Sequence, residues 1–270
     1  MNFLLGSIDP IAFSLGPIDV RWYGVIIASG IVLAFIVAQK EMVKRGFHPD
    51  FLTDLLIWAI PLAILGARSY YVLFKWEYYV ANPAQIFQVW EGGLAIHGAL
   101  IVSFIFAYVF TKKRKESFLK VADITAPSLL IGQAIGRWGN FINQEAHGGP
   151  VSRGFLENIF LPDWIIEQME IDGIYFHPTF LYESVWNFTG VMFLILLRRF
   201  NLLRGEMFLF YIIWYSIGRF FIEGMRTDSL YLIGDLRTAQ VVSLLSVAIA
   251  TIIFVYRRVT LKKAIHYRDA

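Results

Sequence analysis

The ten residues Gly136–Glu145 read Gly-Arg-Trp-Gly-Asn-Phe-Ile-Asn-Gln-Glu and close an apolar run that begins near Leu119. Polar side chains at membrane depth must be paired or face a cavity, which makes Arg137, Asn140, Asn143 and Glu145 functional candidates. A second set, Tyr215, Arg219, Glu223 and Arg226, is spaced i, i+4, i+8, i+11, one stripe of a helix. Tyr23, Arg68, His97, and His177 with Glu183 lie near the ends of further apolar runs. Arginine offers paired N–H donors that match phosphate oxygens, and a low dielectric strengthens the contact. Two or three Arg with a neutral-capable His and Asn and Tyr donors therefore suit the phosphate ester headgroup of an anionic phospholipid. Glu145, Glu183 and Glu223 fall in different parts of the chain beside basic residues, and no His-x-x-x-His or Walker-type pattern occurs, so no metal site is expected. These residues define a ligand class and leave the reaction type open.

The elements that must position them are membrane helices. The 270 residues are 57% hydrophobic and 17% charged, with mean hydropathy +0.57, where a soluble domain is nearer a quarter charged. Apolar runs of spanning length fall near 21–40, 53–74, 94–111, 119–143, 178–198, 206–223 and 238–256, which predicts an all-α polytopic protein of seven transmembrane helices. Residues 75–93 are aromatic and polar and contain Pro83, an interfacial loop. The acidic segment 144–177 is the longest between runs and reads as a small folded cap. No repeat or low-complexity tract breaks the chain, so residues 1–270 are expected to form one transmembrane domain. Cysteine is absent, which excludes disulfides, thiolate metal sites and a cysteine nucleophile of the protein's own. Residues 1–20 carry Asp9, Pro10, Pro17 and Asp19 and lack a basic n-region, so no removable signal peptide is expected.

The net charge of +3 is unevenly placed. Segments 40–52, 112–120, 198–205 and 257–270 hold 16 of the Lys and Arg residues, and the alternate segments hold 5. The first set is cytoplasmic by the positive-inside rule, which puts the N-terminus outside and argues against a nucleic-acid role. With that orientation six spans carry their polar groups in the outer half of the bilayer. Anchoring alone does not require this, at about 2.5–3.5 kcal/mol per central charge.

Structural roles compete for some of these residues. Arg219 and Glu223 suit an i, i+4 ion pair, and Arg68 suits snorkelling to headgroups. A lone His such as His97 is more often structural. Gly132, Gly136 and Gly139 suit helix packing, and Trp22, Trp90 and Trp214 suit interfacial or packing positions.

Gly136–Glu145 resembles the signature of the bacterial prolipoprotein diacylglyceryl transferases, Gly-Arg-x-Gly-Asn-Phe-x-Asn-x-Glu. Arg21–Gly24, Gly92–Gly98, His177–Glu183 and Arg219–Glu223 are similar to further blocks of that family, in the family's order. Residues 150–172 match no block, so no function is carried over there. The resemblance implies transfer of a diacylglyceryl group from phosphatidylglycerol to the lipobox cysteine thiol of a preprolipoprotein, releasing glycerol phosphate. It implies His97, Arg137 and Arg219 as catalytic, with Tyr23, Asn140, Glu145, Tyr215 and Glu223 supporting them as substrate-binding residues; Arg137 itself and, from the helical stripe, Arg226 are further substrate-binding candidates. It also implies the bacterial cytoplasmic membrane, with the active site towards the outer leaflet, the membrane's own lipids as surroundings and no cofactor. The nucleophilic thiol is then the substrate's, consistent with a chain that has none.

In that chemistry Arg137 and Arg219 hold the phosphate and stabilise the charge it gains on leaving. His97 is the candidate base for the thiol. A free thiol near pKa 8.5 and a free His near 6.5 make that proton transfer uphill by roughly 2.7 kcal/mol, a gap that nearby Arg charge reduces. The rivals are an anionic-phospholipid transporter and a non-catalytic scaffold. Transporters tend to show internal repeats and midplane sites, and substituting Arg137 separates an enzyme from a scaffold.

Overall fold

The computed structural model describes residues 8–16, 18–229, 231–233, 236–260 and 265–267. Lys262, Lys263 and Arg268 of the basic C-terminal segment, and residues 1–7 and 17 of the N-terminal segment 1–20, lie outside them. An antiparallel hairpin, β1 (Ile11–Leu15) and β2 (Ile18–Arg21), leads into helix α1 (Trp22–Lys44). Then come α2 (Phe51–Phe74), the short α3 (Trp76–Ala81), two 3-10 turns at Pro83–Phe87 and Val89–Glu91, α4 (Ile96–Lys113) and α5 (Phe118–Ile142). The C-terminal half carries strand β3 (Pro150–Val151), helices α6 (Arg153–Asn158) and α7 (Asp163–Gln168), and strands β4 (Glu170–Ile171) and β5 (Ile174–Phe176). Helices α8 (Thr179–Leu197) and α9 (Glu206–Glu223), strands β6 (Tyr231–Ile233) and β7 (Leu236–Arg237), and helix α10 (Thr238–Thr260) complete it.

Six of these helices, α1, α2, α4, α5, α8 and α10, are long and apolar enough to cross a membrane. The remaining expected span, 206–223, forms α9, an 18-residue helix that carries Glu206, Arg219 and Glu223 and is not among the six. The expected interfacial loop 75–93 is more ordered than its composition suggested, being built from α3 and the two 3-10 turns.

By contact the chain divides into two compact units, one of Met1–Ala38 with Ala122–Ala270 and the other of Gln39–Val121. In the smaller unit α2 crosses α4 backbone to backbone. A Cβ added to Gly66 would lie 2.7 Å from the Gly98 carbonyl oxygen, so small residues set the approach. In the larger unit α5 packs on α1, with Gly136 against Ile27 and Gly30 against Ile135, the helix-packing role expected of Gly136. Helices α8 and α9 lock through two reciprocal tryptophans. The Trp186 ring fills the notch at Gly218 and the Trp214 ring the notch at Gly190, with ring centroids 4.6 Å apart. Each indole N–H donates to the other residue's carbonyl, at 2.9 and 3.0 Å. Trp214 is thus a packing residue, whereas Trp22 and Trp90 are exposed.

The N-terminus of α9 is capped from another helix. Fully buried Asp123 of α5 accepts the backbone N–H groups of Gly205 and of Phe208, the latter at 2.9 Å. Such a side chain satisfies donors that a helix start leaves without partners. The 144–177 segment is a small folded body with strand order β3-β5-β4. Leu156, Ile165, Ile166 and Met169 form its core against Phe141 and Phe180. Gln168 donates to the carbonyls of Phe141 at 3.2 Å and Ile142 at 3.1 Å, which fastens this body to the end of α5.

Candidate active site

The end of α5 presents Arg137 and Asn140 one turn apart, which places both on one helix face. Arg137 Nη1 donates to Asn140 Oδ1 at 3.4 Å, and Asn140 Nδ2 donates to Glu145 Oε1 at 2.8 Å. Arg137, Asn140 and Glu145 of the ten-residue stretch therefore form one hydrogen-bonded chain. Tyr23 joins it by packing: a Cβ on Gly139 would lie 2.7 Å from Tyr23 Cδ2, so the tyrosine ring rests directly on that glycine.

The second stripe meets the first through a residue not singled out as a site residue. Glu183, on the first turns of α8 and only 7% exposed at its side chain, pairs through Oε2 with Arg137 Nε and through Oε1 with Arg219 Nη1 at 2.7 Å. Arg219 also pairs with Glu223 at 2.6 Å, so the i, i+4 ion pair weighed for α9 exists. Two arginines from different helices close on one carboxylate. A buried arrangement of this kind is retained only when every charge has a partner. The Trp186–Trp214 lock sits one turn below Glu183 and Arg219 and sets the spacing of α8 and α9 at this level.

Arg226 approaches from the segment after α9. It grips Asp228 with two hydrogen bonds, 2.9 and 2.8 Å, and this grip holds the Asp228 carboxyl below the usual carboxylate range. A bridge between Gly148 and Arg226 ties that segment to the 144–177 body. Arg137, Asn140, Thr179, Glu183 and Arg226 line a narrow cavity of about 160 Å³ of empty space, too tight for a water molecule. Tyr215 lies one turn before Arg219 on α9, its ring stacked on Tyr211 with centroids 6.2 Å apart. Gln133 donates to the Tyr211 hydroxyl at 3.1 Å, which links that stack to α5. His177 faces Tyr182 at 3.1 Å, and burial pushes its imidazole below the ordinary value.

Arg137, Asn140, Glu145, Arg219, Glu223 and Arg226 are thus brought together, with Tyr23 and Tyr215 at the edges. His97 belongs to the other unit, exposed at the first turn of α4, where its recorded ring neighbour is Tyr70 with centroids 6.1 Å apart. Arg68 does not snorkel, and among the described residues it meets no carboxylate; it is buried and bonded to backbone carbonyls. Among the described residues no three His, Asp or Glu side chains group as a metal site. Chemically, the Arg137–Glu183–Arg219 bridge is a clamp for one anion, filled by the protein's own carboxylate. Its signal in the sequence was a carboxylate near the start of an apolar run, next to Arg-bearing runs of the opposite polarity.

The chain matches the family model described as "Prolipoprotein diacylglyceryl transferase" over residues 10–256. A Lysinibacillus sphaericus protein named phosphatidylglycerol–prolipoprotein diacylglyceryl transferase is 62% identical over 271 residues, spanning 100% of this chain and 99% of the relative. Proteins of the same name from Bacillus velezensis and Geobacillus kaustophilus are 60% and 55% identical. They cover 96% and 100% of this chain, and 95% and 100% of their own lengths. With this match running through every helix that carries the clamp, the chain belongs to the prolipoprotein diacylglyceryl transferase family.

Proposed function

We propose that the protein transfers the diacylglyceryl group of phosphatidylglycerol to the lipobox cysteine thiol of a preprolipoprotein. It does so as one seven-span domain of the bacterial cytoplasmic membrane, with α9 as the seventh span. The N-terminus is outside, the C-terminus is cytoplasmic, and the clamp and the 144–177 cap face the outer leaflet. The uneven Lys and Arg placement supports this orientation.

The observation that carries the reading is the single carboxylate held by Arg137 and Arg219 together. Two guanidinium groups spaced for one shared anion also suit a phosphate that bridges them. In the reaction the cysteine sulfur attacks the glycerol carbon that bears the phosphate. The carbon–oxygen bond breaks, and glycerol phosphate departs with the bonding pair. Arg137 and Arg219 take up the charge that builds on the leaving phosphate, Glu183 giving way to it as their partner. Glu183 and Glu223 are positioning residues that hold both guanidinium groups aligned before substrate binds. Asn140, Glu145, Tyr23, Tyr215 and Arg226 orient headgroup and peptide, and His97 accepts the thiol proton. The tightness of the cavity means that the side chains part to admit the headgroup.

The test uses purified protein, phosphatidylglycerol and a synthetic lipobox peptide, read by mass spectrometry. The peptide gains one diacylglyceryl group, and Arg137→Ala abolishes the gain while remaining folded. A folded wild-type protein that binds phosphatidylglycerol without modifying the peptide would contradict the reading.

A further inference from the structure

The segment after α2 builds a second basic pocket that the reaction above does not use. Arg68, 6% exposed, spends its five N–H groups on backbone carbonyls. Nε donates to Ile86 at 2.9 Å, Nη1 to Gly92 at 2.7 Å and Gly93 at 3.0 Å, and Nη2 to Gln88 at 3.3 Å and to Gln85. Its Cζ lies 5.2 Å from the centroid of the Tyr79 ring. Gly93 lets the chain close over it: its φ is +69°, and a Cβ there would collide with Arg68 Nη1. Carbonyl dipoles screen this buried charge without neutralising it, and no carboxylate pairs with Arg68 among the described residues.

The cation forms one wall of a cavity of about 390 Å³, lined also by Tyr71, Lys75, Tyr78, Tyr79 and Gln85, with no acidic side chain among the described lining residues. The Arg68 donors are all used, so the guanidinium acts there by charge alone. Direct donors come from exposed Lys75, whose amine has no side-chain partner among the described residues, and from the Tyr71 and Tyr79 hydroxyls, that of Tyr78 donating to Gln85 Oε1. The surrounding surface is aromatic and exposed, with Phe74 at 73%, Trp76 at 57%, Phe87 at 77% and Trp90 at 76%. Such a belt marks the headgroup level of a bilayer.

We propose that this pocket is an anion site for a phosphate ester, with Lys75 making the direct contact and Arg68 supplying a fixed positive field. The phosphate belongs to an anionic lipid headgroup or to a soluble phosphate ester, and the test separates the two. The proposal needs only the smaller unit and does not rest on the transferase reading. Full-length protein in detergent is titrated in one arm with dioleoyl phosphatidic acid, read by native mass spectrometry. In the other arm it is titrated with glycerol phosphate, read by calorimetry. Wild type, Lys75→Gln, Lys75→Glu and Arg137→Ala are compared, with thermal unfolding as the check on folding.

Lys75→Gln weakens this binding about 10-fold and Lys75→Glu more, whereas Arg137→Ala removes only the separate binding at the clamp and leaves the Lys75-dependent part intact. The arm in which this happens identifies the source of the phosphate. Equal binding by wild type and both Lys75 variants, or no binding in either arm, would overturn the proposal. Loss in Arg137→Ala alone would assign the ligand to the clamp and overturn it equally.

Discussion

Replacing Glu183 with Gln removes one charge and almost no volume from the point where Arg137 and Arg219 meet. A unit-charge pair at about 4 Å is worth about 4 kcal/mol at an effective dielectric of ~20, and desolvation of the carboxylate offsets much of it. Breaking a buried pair from one side typically costs about 3–5 kcal/mol. Glutamine keeps an acceptor, and Arg219 keeps Glu223 at 2.6 Å, which places Glu183→Gln at the low end, about 3 kcal/mol. At roughly 2–4 °C per kcal/mol for a chain of this order, the unfolding midpoint falls by about 6–12 °C. Glu145→Gln is the contrast. Glu145 is exposed and accepts one hydrogen bond, so its loss costs less than about 1 kcal/mol. Turnover falls about 100-fold in Glu183→Gln, because both guanidinium groups lose the partner that aligns them. Phosphatidylglycerol affinity changes far less. Thermal unfolding in detergent and peptide lipidation are the two assays. A Glu183→Gln protein that melts within about 2 °C of wild type and turns over normally would refute the bridge as the organising contact.

Three further outcomes follow from the same geometry. Gly218→Ala drives a methyl into the Trp186 ring; overpacking costs about 1–3 kcal/mol and lowers turnover by shifting Glu183 against Arg219, whereas Gly132→Ala, with Ala34 4.0 Å from the new Cβ, changes neither in unfolding and lipidation assays. Asp123→Ala strips two backbone N–H groups of their buried acceptor and destabilises by about 2–4 kcal/mol, with Asp123→Asn in between, as read by chemical denaturation. Burial holds the His177 pKa below the ordinary 6.5, so the unfolded chain takes up its proton first as pH falls. Stability is therefore full above about pH 6.5 and is lost as pH drops from there toward the lowered folded value, a slope that His177→Gln removes from melting curves taken between pH 8 and 5.

What could be read from the sequence follows from the range of each interaction. Apolar runs of spanning length fixed the helices to within a few residues, because burial in lipid acts on composition and needs no partner. The Arg137–Asn140–Glu145 chain was visible as polar density within ten residues, and the Arg219–Glu223 pair as helical spacing. Glu183 was not assigned because its partners lie 46 and 36 residues away, and only the packing of α5, α8 and α9 brings them together. Arg68 had no pattern to reveal it, since its ligands are main-chain carbonyls whose placement depends on the turns over 83–93. The strands of the cap are two or three residues long, too short for alternation to register. Asp123, a lone acid within an apolar run, gave no sign that its acceptors serve a helix end 82 residues later.

The claim at the centre of this account is that Arg137 and Arg219 act on a phosphate that leaves with its glycerol. The most direct measurement follows both products of one reaction, lipidated peptide and glycerol phosphate, with wild type, Arg137→Ala and Arg219→Ala. One glycerol phosphate appears per diacylglyceryl thioether, none forms without the peptide's cysteine, and both products fall together in each arginine variant. Thioether formation that continues in the arginine variants, or release of free glycerol in place of glycerol phosphate, would contradict it.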